Sequence, residues 1–340
     1  MKPNIFEIAT RELSQDAFIT WLLKFADDAC KEEDAALNNC SKKFITRLIR
    51  KQVFGFSDPI TSMDAGRQWR GIDIWATVNE KYLIIIEDKT STTHHSNQLS
   101  RYKEIAEKWC LIENYHDPIC IYLKTGNESQ RSLREIENQG FSIFNRVDFL
   151  ELLNEYEYIS NNIFIDFREH LMKIEKSTNG YTHKPIKDWR GSEWQGFFQF
   201  IEKEIEIINW HYVNNPNGGF WNLVLNWDYW DIYPVYLQIE EGKMCFKVST
   251  DPDDAVVLPE RETRSNVRNK LSNLIISASR KHDYLEISRP GRFGNGRCMT
   301  VALIDSTNWL ANDNELIDKE NVLAKITGYL NFLRNTIKQN

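Results

Sequence analysis

Three charged residues interrupt an apolar part of the chain between residues 71 and 90. Asp73 precedes the strand-like run IWATV, and Glu87 and Lys89 follow the run LIII. Two carboxylates close together in apolar surroundings are costly to ionise without a compensating cation. A divalent ion and a nearby ammonium supply that compensation, and carboxylate oxygens with a backbone carbonyl and waters suit Mg²⁺ or Mn²⁺. These residue types predict a metal site, provided that the fold brings them together.

A β-hairpin would bring them together. Both runs are rich in β-branched and aromatic residues, and residues 79–81 can form the turn between them. An antiparallel pair centred on that turn sets Asp73 opposite Glu87, with Cβ atoms about 5 Å apart, and Lys89 shares their face by the period of two. The same register gives two further pairs, Trp75 with Ile85 and Thr77 with Leu83. The alternative is a cross-strand salt bridge, which contributes little to stability.

The pattern of Asp73 followed by Glu87-Asp88-Lys89 resembles the PD-(D/E)xK nuclease superfamily, although Ile72 stands where the motif name implies Pro. QLSRY supplies Gln98 and Tyr102 at the spacing of the accessory motif of RecB-like and λ-exonuclease-like nucleases. RELSQDAFITWLL, which contains Glu12, resembles the first helix of bacterial members of the superfamily. The resemblance is specific over residues 5–155 and weaker beyond.

The resemblance implies a restriction-endonuclease-like fold and hydrolysis of phosphodiester bonds in DNA, with RNA as another possible substrate. Asp73, Glu87 and the Asp88 carbonyl would hold Mg²⁺ or Mn²⁺. Lys89 would orient or deprotonate the attacking water and offset charge on the phosphate. The remaining positions follow by the same resemblance: Gln98 and Tyr102 would position the lysine or a phosphate, and Glu12 would hold a water at the metal or a second ion.

Each of these residues also has an ordinary structural interpretation. Asp16 lies one helical turn after Glu12 and is a rival for its role. Gln98 and Tyr102 could form a polar helix face, and the Asp88 side chain, on the opposite strand face, is expected to face solvent or a helix. His94 and His95 are expected to be loop residues near the site. A catalytically silent module that binds nucleic acid or a partner is the alternative function.

The surrounding pattern indicates an α/β layer with a mixed central sheet. Apolar spacing predicts one N-terminal helix over residues 5–28 and another over 40–54, whereas 57–67 has the composition of a loop. A helix follows the hairpin over 93–109, with Ser96 or Asn97 as its cap. After it we expect a buried strand at 117–126, a helix, a short strand at 141–145 and a helix at 147–156.

A polar stretch with Gly and Pro at residues 176–192 marks a domain boundary. We therefore expect a nuclease domain at 1–178 and an α+β domain at 190–340 that positions substrate or a partner. In the second domain, helices are predicted at 193–208, 260–281 and 319–337. Strands are predicted near 220–227, 233–239, 244–249 and 298–304.

The formal net charge of −7 argues against a generic polyanion-binding surface. Residues 260–297 nevertheless hold nine Lys and Arg against four Asp and Glu, a local net charge of +5. Six arginines of this segment are candidates for nucleic-acid contact, alongside the ordinary interpretation as a solvated face. They are Arg261, Arg264, Arg268, Arg289, Arg292 and Arg297.

Composition limits the remaining possibilities. The six cysteines show no zinc-ligand spacing and no disulfide framework, so buried reduced thiols are expected. Neither a signal peptide nor a membrane-spanning stretch is evident, which predicts a cytoplasmic protein. Double-strand cleavage in the superfamily often uses two active sites, so a homodimer or a larger assembly is a further expectation.

Overall fold

The structure is a computed structural model that describes residues 2–90, 98–215, 218–254, 256–260 and 262–338. The chain divides into two compact units, Met1–Lys176 and Ser177–Asn340. The division lies at the first residue of the polar stretch 176–192.

A mixed five-stranded sheet forms the centre of the first unit, with the strands in the order β1-β2-β3-β4-β5. The first two pairs are antiparallel and the last two are parallel. The strands are β1 (Met63–Trp69), β2 (Ile72–Val78), β3 (Tyr82–Lys89), β4 (Ile119–Lys124) and β5 (Ser142–Asn145).

Helices cover both faces of this sheet. They are α1 (Ile5–Ile8), α2 (Glu12–Lys24), α3 (Ala35–Arg50), α4 (Gln98–Glu113), α5 (Gln130–Asn138), α6 (Arg146–Glu155) and α7 (Asn162–Thr178). One face, with Ile84 and Ile86 of β3, packs on a core that includes residues of α2, α3, α6 and α7. The other face, with Leu83 and Ile85, packs on α4. Because both faces are covered, β3 is buried along its whole length.

The hairpin register matches the sequence prediction. Trp75 pairs with Ile85 and Thr77 with Leu83. Residues 79–81 form the turn, with Asn79 at φ 53° and Glu80 at φ 52°. The Asn79 side chain tolerates this left-handed conformation and accepts the backbone N–H of Thr61 at 2.9 Å. The turn is therefore anchored to the chain segment before β1.

Two predictions of local structure are wrong. The expected loop at 57–67 contains most of β1, which among the described residues pairs with β2 alone and whose side chains show no apolar alternation. The expected single N-terminal helix is two helices, α1 and α2, separated by residues 9–11. A tertiary contact accompanies this break, because the Asp166 carboxylate accepts the Ile5 backbone N–H. Leu13, which the single-helix prediction counted among the apolar positions, is 55% exposed.

The second unit is α+β. Its sheet has the strand order β11-β10-β9-β7-β6, with β8 paired to β9. The strands are β6 (Asn209–Val213), β7 (Phe220–Val224), β8 (Asp228–Trp230), β9 (Tyr233–Glu240), β10 (Lys243–Ser249) and β11 (Cys298–Ile304). The helices are α8 (Gly191–Glu204), α9 (Arg264–Lys281), α10 (Ser306–Trp309) and α11 (Lys319–Lys338). The unit has its own aromatic-rich core.

All six cysteines are free thiols, but the prediction that they are buried is wrong for Cys298 and for the half-buried Cys30. Cys40, Cys110, Cys120 and Cys245 are buried, whereas Cys298 is exposed. Within the described ranges, no helix has the length and apolar character needed to cross a bilayer.

Candidate active site

The start of β2 and the end of β3 bring Asp73, Glu87 and Lys89 together. Lys89 Nζ lies 2.7 Å from Glu87 Oε1 and 3.4 Å from Asp73 Oδ2. The same Asp73 oxygen accepts the Asp88 backbone N–H at 3.1 Å, which connects the start of β2 to the end of β3. The hairpin thus gathers the carboxylates and the ammonium at one point.

The Lys89 ammonium faces all the groups that the sequence suggests as metal ligands. Besides its contacts with Asp73 and Glu87, it donates to the Asp88 carbonyl at 3.0 Å and lies 4.0 Å from Glu12 Oε2. Glu12 is the first residue of α2, and its Oε1 accepts the Thr90 backbone N–H at 3.2 Å. The α2 helix therefore adds a carboxylate to the site at the end of β3.

Glu87 is the least satisfied of these groups. Its side chain is 1% exposed and its Oε1 contacts the Lys89 ammonium at 2.7 Å, but no backbone N–H, hydroxyl or amide group within the described part of the chain donates to it. Burial raises the pKa of Glu87 to about 7, repulsion from Asp73 adds to the rise, and Lys89 opposes it. Burial acts to lower the pKa of Lys89, but Glu87, Asp73 and Glu12 together outweigh it and the pKa is raised.

These features fit a divalent cation. A buried carboxylate next to a second carboxylate and a backbone carbonyl offers the hard oxygen donors that Mg²⁺ and Mn²⁺ take. Among the described residues, no group of three or more His, Cys, Asp or Glu side chains is arranged to hold a metal ion. A ligand set here would thus consist of Asp73, Glu87 and the Asp88 carbonyl, with Glu12 farther out beside Lys89 and Thr90.

The opposite face of β3 holds a second buried carboxylate. Asp88 is fully buried and accepts a hydrogen bond from the Gln15 amide at 2.5 Å, while Gln15 accepts the Thr125 hydroxyl at 2.7 Å. Burial raises the pKa of Asp88, and the charge of Asp16 on α2 adds to that rise. Burial likewise raises the pKa of Asp16, to about 6. The prediction that the Asp88 side chain faces a helix is confirmed, and the alternative that it faces solvent is wrong.

A family model described as the PD-(D/E)XK nuclease superfamily matches residues 3–189, which is more than half of the 340 residues. The chain belongs to the PD-(D/E)XK nuclease superfamily. The mixed five-stranded sheet between helices is the restriction-endonuclease-like core of that superfamily. Comparison with curated proteins and with solved structures gave no match.

Gln98 and Tyr102 of this superfamily member contact each other at the start of α4. The Gln98 amide donates to the Tyr102 hydroxyl at 2.7 Å, and Tyr102 is buried in the core beneath α4. A Cβ added to Gly71 would lie 3.3 Å from that hydroxyl, so Tyr102 packs against the chain two residues before Asp73. A role for the pair in positioning Lys89 stays a prediction. His94 and His95, with the predicted cap residues Ser96 and Asn97, lie outside the described residues.

The structure adds Lys124 and Glu128, which the sequence analysis missed. In the parallel register of β3 and β4, Lys124 lies beside Lys89. Lys124 is 2% exposed and 3.2 Å from Glu128 Oε2, which also accepts the Tyr122 hydroxyl at 3.0 Å. Burial lowers the pKa of Lys124 and Glu128 opposes the change. A lysine that ends the apolar run ICIYL, with Glu four residues later, was the available signal.

Gly126 is a third residue that only the structure reveals. A Cβ at this position would lie 1.9 Å from the Thr90 carbonyl oxygen. Just before it, the Thr125 N–H donates to the Lys89 carbonyl at 3.2 Å. The close approach of the chain after β4 to the chain after β3 therefore requires glycine.

The basic segment of the second unit is largely engaged in its own structure. Arg268 is buried, donates to the Gly294 carbonyl at 2.7 Å and lies over the Phe293 ring. It therefore supports the glycine-rich loop RPGRFGNGR at residues 289–297. Arg289 donates to Asn273, and Arg297 pairs with Asp251 at 3.0 Å. Two further candidates, Arg264 and Arg292, have no ion pair within the described ranges, and Arg261 lies outside them. Nucleic-acid contact by this segment stays a prediction.

Proposed function

We propose that this chain is a nuclease that uses Mg²⁺ or Mn²⁺ to hydrolyse phosphodiester bonds of DNA, with RNA as the alternative substrate. The observation that carries the proposal is a pair of carboxylates, the buried Glu87 and its neighbour Asp73, that share the single ammonium of Lys89 among the described residues. Such a group is destabilising unless a cation is to be held there. Membership of the PD-(D/E)XK nuclease superfamily supports the same chemistry.

The residues divide the work between them. Asp73, Glu87 and the Asp88 carbonyl would hold the ion, which when bound supplies positive charge for water activation and for the phosphate. The raised pKa of Lys89 keeps its ammonium protonated at neutral pH, so Lys89 offsets charge that develops on the phosphate rather than acting as the base. Glu12, fixed by the Thr90 N–H, would accept a hydrogen bond from a water at the reacting bond.

The biological setting follows from the superfamily rather than from the geometry. We place the enzyme in the cytoplasm, in bacterial defence against foreign DNA, with the second unit positioning substrate or a partner. A homodimer would supply the two active sites that double-strand cleavage requires. The intact group of Asp73, Glu87 and Lys89 argues against a catalytically silent module.

The test is a cleavage assay on supercoiled plasmid, linear duplex, single-stranded DNA and RNA with Mg²⁺, Mn²⁺ or EDTA. We expect metal-dependent cleavage by the wild type and a loss of at least about a hundredfold in Lys89→Ala, because one charge-stabilising donor contributes about that much. Lys173→Ala is the matched control, since Lys173 is a lysine of the same unit with a 62% exposed side chain.

Thermal unfolding with and without Mn²⁺ accompanies the assay. The proposal expects Mn²⁺ to raise the melting temperature of the wild type and to have a smaller effect on Glu87→Gln. Folded wild-type protein that cleaves none of the four substrates with either metal would refute the proposal in favour of the silent module.

A further inference from the structure

The turn between β1 and β2 carries an arginine in an unfavourable backbone conformation. Trp69 pairs with Ile72, which leaves Arg70 and Gly71 as a two-residue turn with φ of 54° and 90°. Positive φ at both positions is the type I′ geometry, in which Asn-Gly and Asp-Gly are favoured. An arginine there is disfavoured by its Cβ. Backbone strain retained at one position is a reason to look for a function of its side chain.

A second arginine approaches the same turn from α4. The Arg101 Nη2 atom would lie 3.4 Å from a Cβ added to Gly71. The Arg101 guanidinium lies 5.4 Å from the Tyr102 ring centroid, and that of Arg70 lies 5.3 Å from the Trp69 ring. Both side chains are exposed, and neither has an ion pair or hydrogen bond within the described part of the protein. Each guanidinium therefore lies beside an aromatic ring, and an arginine in such a position still has N–H donors for an anion.

These guanidinium groups flank the candidate active site. Gly71 is two residues before Asp73, and the Tyr102 hydroxyl packs on Gly71. Open guanidinium edges bind phosphate through paired N–H donors. We propose that Arg70 and Arg101 bind the phosphate backbone of the nucleic-acid substrate beside the bond to be cut. The proposal rests on the proposed function in that the substrate is nucleic acid, and it implies binding that does not depend on base sequence.

The melting temperature of Arg70→Asn distinguishes binding by Arg70 from a purely structural role, which would make the variant less stable. Asparagine suits the first position of a type I′ turn better than arginine. Arg70→Asn should therefore leave the melting temperature unchanged or higher while it removes the guanidinium. Arg101→Gln removes the second guanidinium and keeps a side chain that a helix accommodates.

The experiment measures binding, without cleavage, of labelled duplex DNA, single-stranded DNA and RNA in EDTA at several salt concentrations. For Arg70→Asn/Arg101→Gln we expect affinity to fall about tenfold or more. The slope of log affinity against log salt should fall by about 1.8 for duplex DNA, because each phosphate that an arginine neutralises contributes about 0.9 to that slope. Arg131→Gln is the control, because Arg131 is exposed in the same unit but pairs with Glu135 at 3.1 Å.

The outcomes separate this proposal from the proposed function. Equal affinity and salt slope in wild type and double variant would overturn it, as would the absence of nucleic-acid binding by the wild type. Binding that depends on both arginines in a protein that cuts nothing would support this inference and refute the proposed nuclease function. Cleavage by the wild type together with unaltered binding by the double variant would support the proposed nuclease function and refute this inference.

Discussion

Glu87 and Asp88 are consecutive residues of β3 that lie on opposite faces of the sheet, and both are buried carboxyl groups. Glu87 faces Asp73 and has the Lys89 ammonium at 2.7 Å. Asp88 faces α2, where its contact is the Gln15 amide and its acidic neighbour is Asp16. Burial raises the pKa of both acids. The two sites differ in what offsets the buried charge.

That difference separates a site for a cation from a site for a proton. On the face with Lys89, one ammonium contacts both Glu87 and Asp73, so positive charge is already favoured there and a further cation can bind the two carboxylates. On the face with Gln15, the described residues place no cation in contact with Asp88, so a shared proton is the least costly way to remove charge. The strand period of two thus puts different chemistry on adjacent residues.

The strongest test of this comparison exchanges each acid for its amide. Glu87→Gln should lower metal-dependent cleavage by about a thousandfold, because it removes a ligand and an anionic partner of Lys89. Asp88→Asn should retain cleavage within about threefold, because the protonated acid and the amide are both neutral and its backbone carbonyl is unchanged. Initial cleavage rates of the two variants, with circular dichroism to confirm folding, decide it. Similar losses in both would show that the faces are not chemically distinct.

A second comparison is between the acids that compensate two neighbouring lysines: Glu87 and Asp73 contact Lys89, whereas Glu128 contacts the buried Lys124. We expect Glu128→Gln to lower the free energy of unfolding by about 3 kcal/mol, because it removes the charge that compensates a lysine in the interior. Urea unfolding measures the change. Glu135→Gln, which affects an exposed pair with Arg131, should change stability by less than about 0.5 kcal/mol. A fully stable Glu128→Gln variant that no longer cleaves would instead make Lys124 part of the reacting site.

The close approach of Gly126 to Thr90 offers a test of how far the Lys89 end of β3 depends on β4. Gly126→Ala would force the Thr90 carbonyl away and disturb the Thr90 N–H bond to Glu12. We expect a loss of about 2 kcal/mol in stability and a lower cleavage rate. Gly328→Ala is the control, because a Cβ there meets open space on α11 and should stabilise slightly. Unchanged stability and cleavage in Gly126→Ala would mean that this junction adapts without affecting the site.

The parts of the site that sequence could predict are those governed by local rules. The turn at 79–81 and the period of two place Asp73, Glu87 and Lys89 on one face without knowledge of the rest of the fold. Burial of Asp88 could not be predicted in the same way, because it depends on where α2 places Gln15. Strand β1 gave no pattern because its polar side chains are mostly exposed at a sheet edge.

The same distinction explains the arginines. Arg264 and Arg268 are four residues apart on α9, a spacing that favours a shared helix face, but burial of Arg268 under the loop at 289–297 is a tertiary contact. Arg70 and Arg101 are 31 positions apart in the numbering, and Arg101 comes close to the β1–β2 turn at Gly71 only because α4 packs there. Sequence spacing alone does not indicate such a pair.

A further expectation is a pH dependence of stability to which the Asp88 face contributes. Because folding raises the pKa of Asp16 to about 6 and also raises that of Asp88, the folded state holds more protons than the unfolded state above about pH 4. Stability of the metal-free protein should therefore fall as pH rises toward 7, by about 1.4 kcal/mol per pH unit for each extra proton held. Urea unfolding in EDTA measures this slope, and Asp88→Asn should reduce it. Glu157→Gln, at a 71% exposed side chain, should leave it unchanged. A slope that is the same in Asp88→Asn and wild type would mean that Asp88 is ionised in the folded protein, and the contrast with Glu87 would then lose its basis.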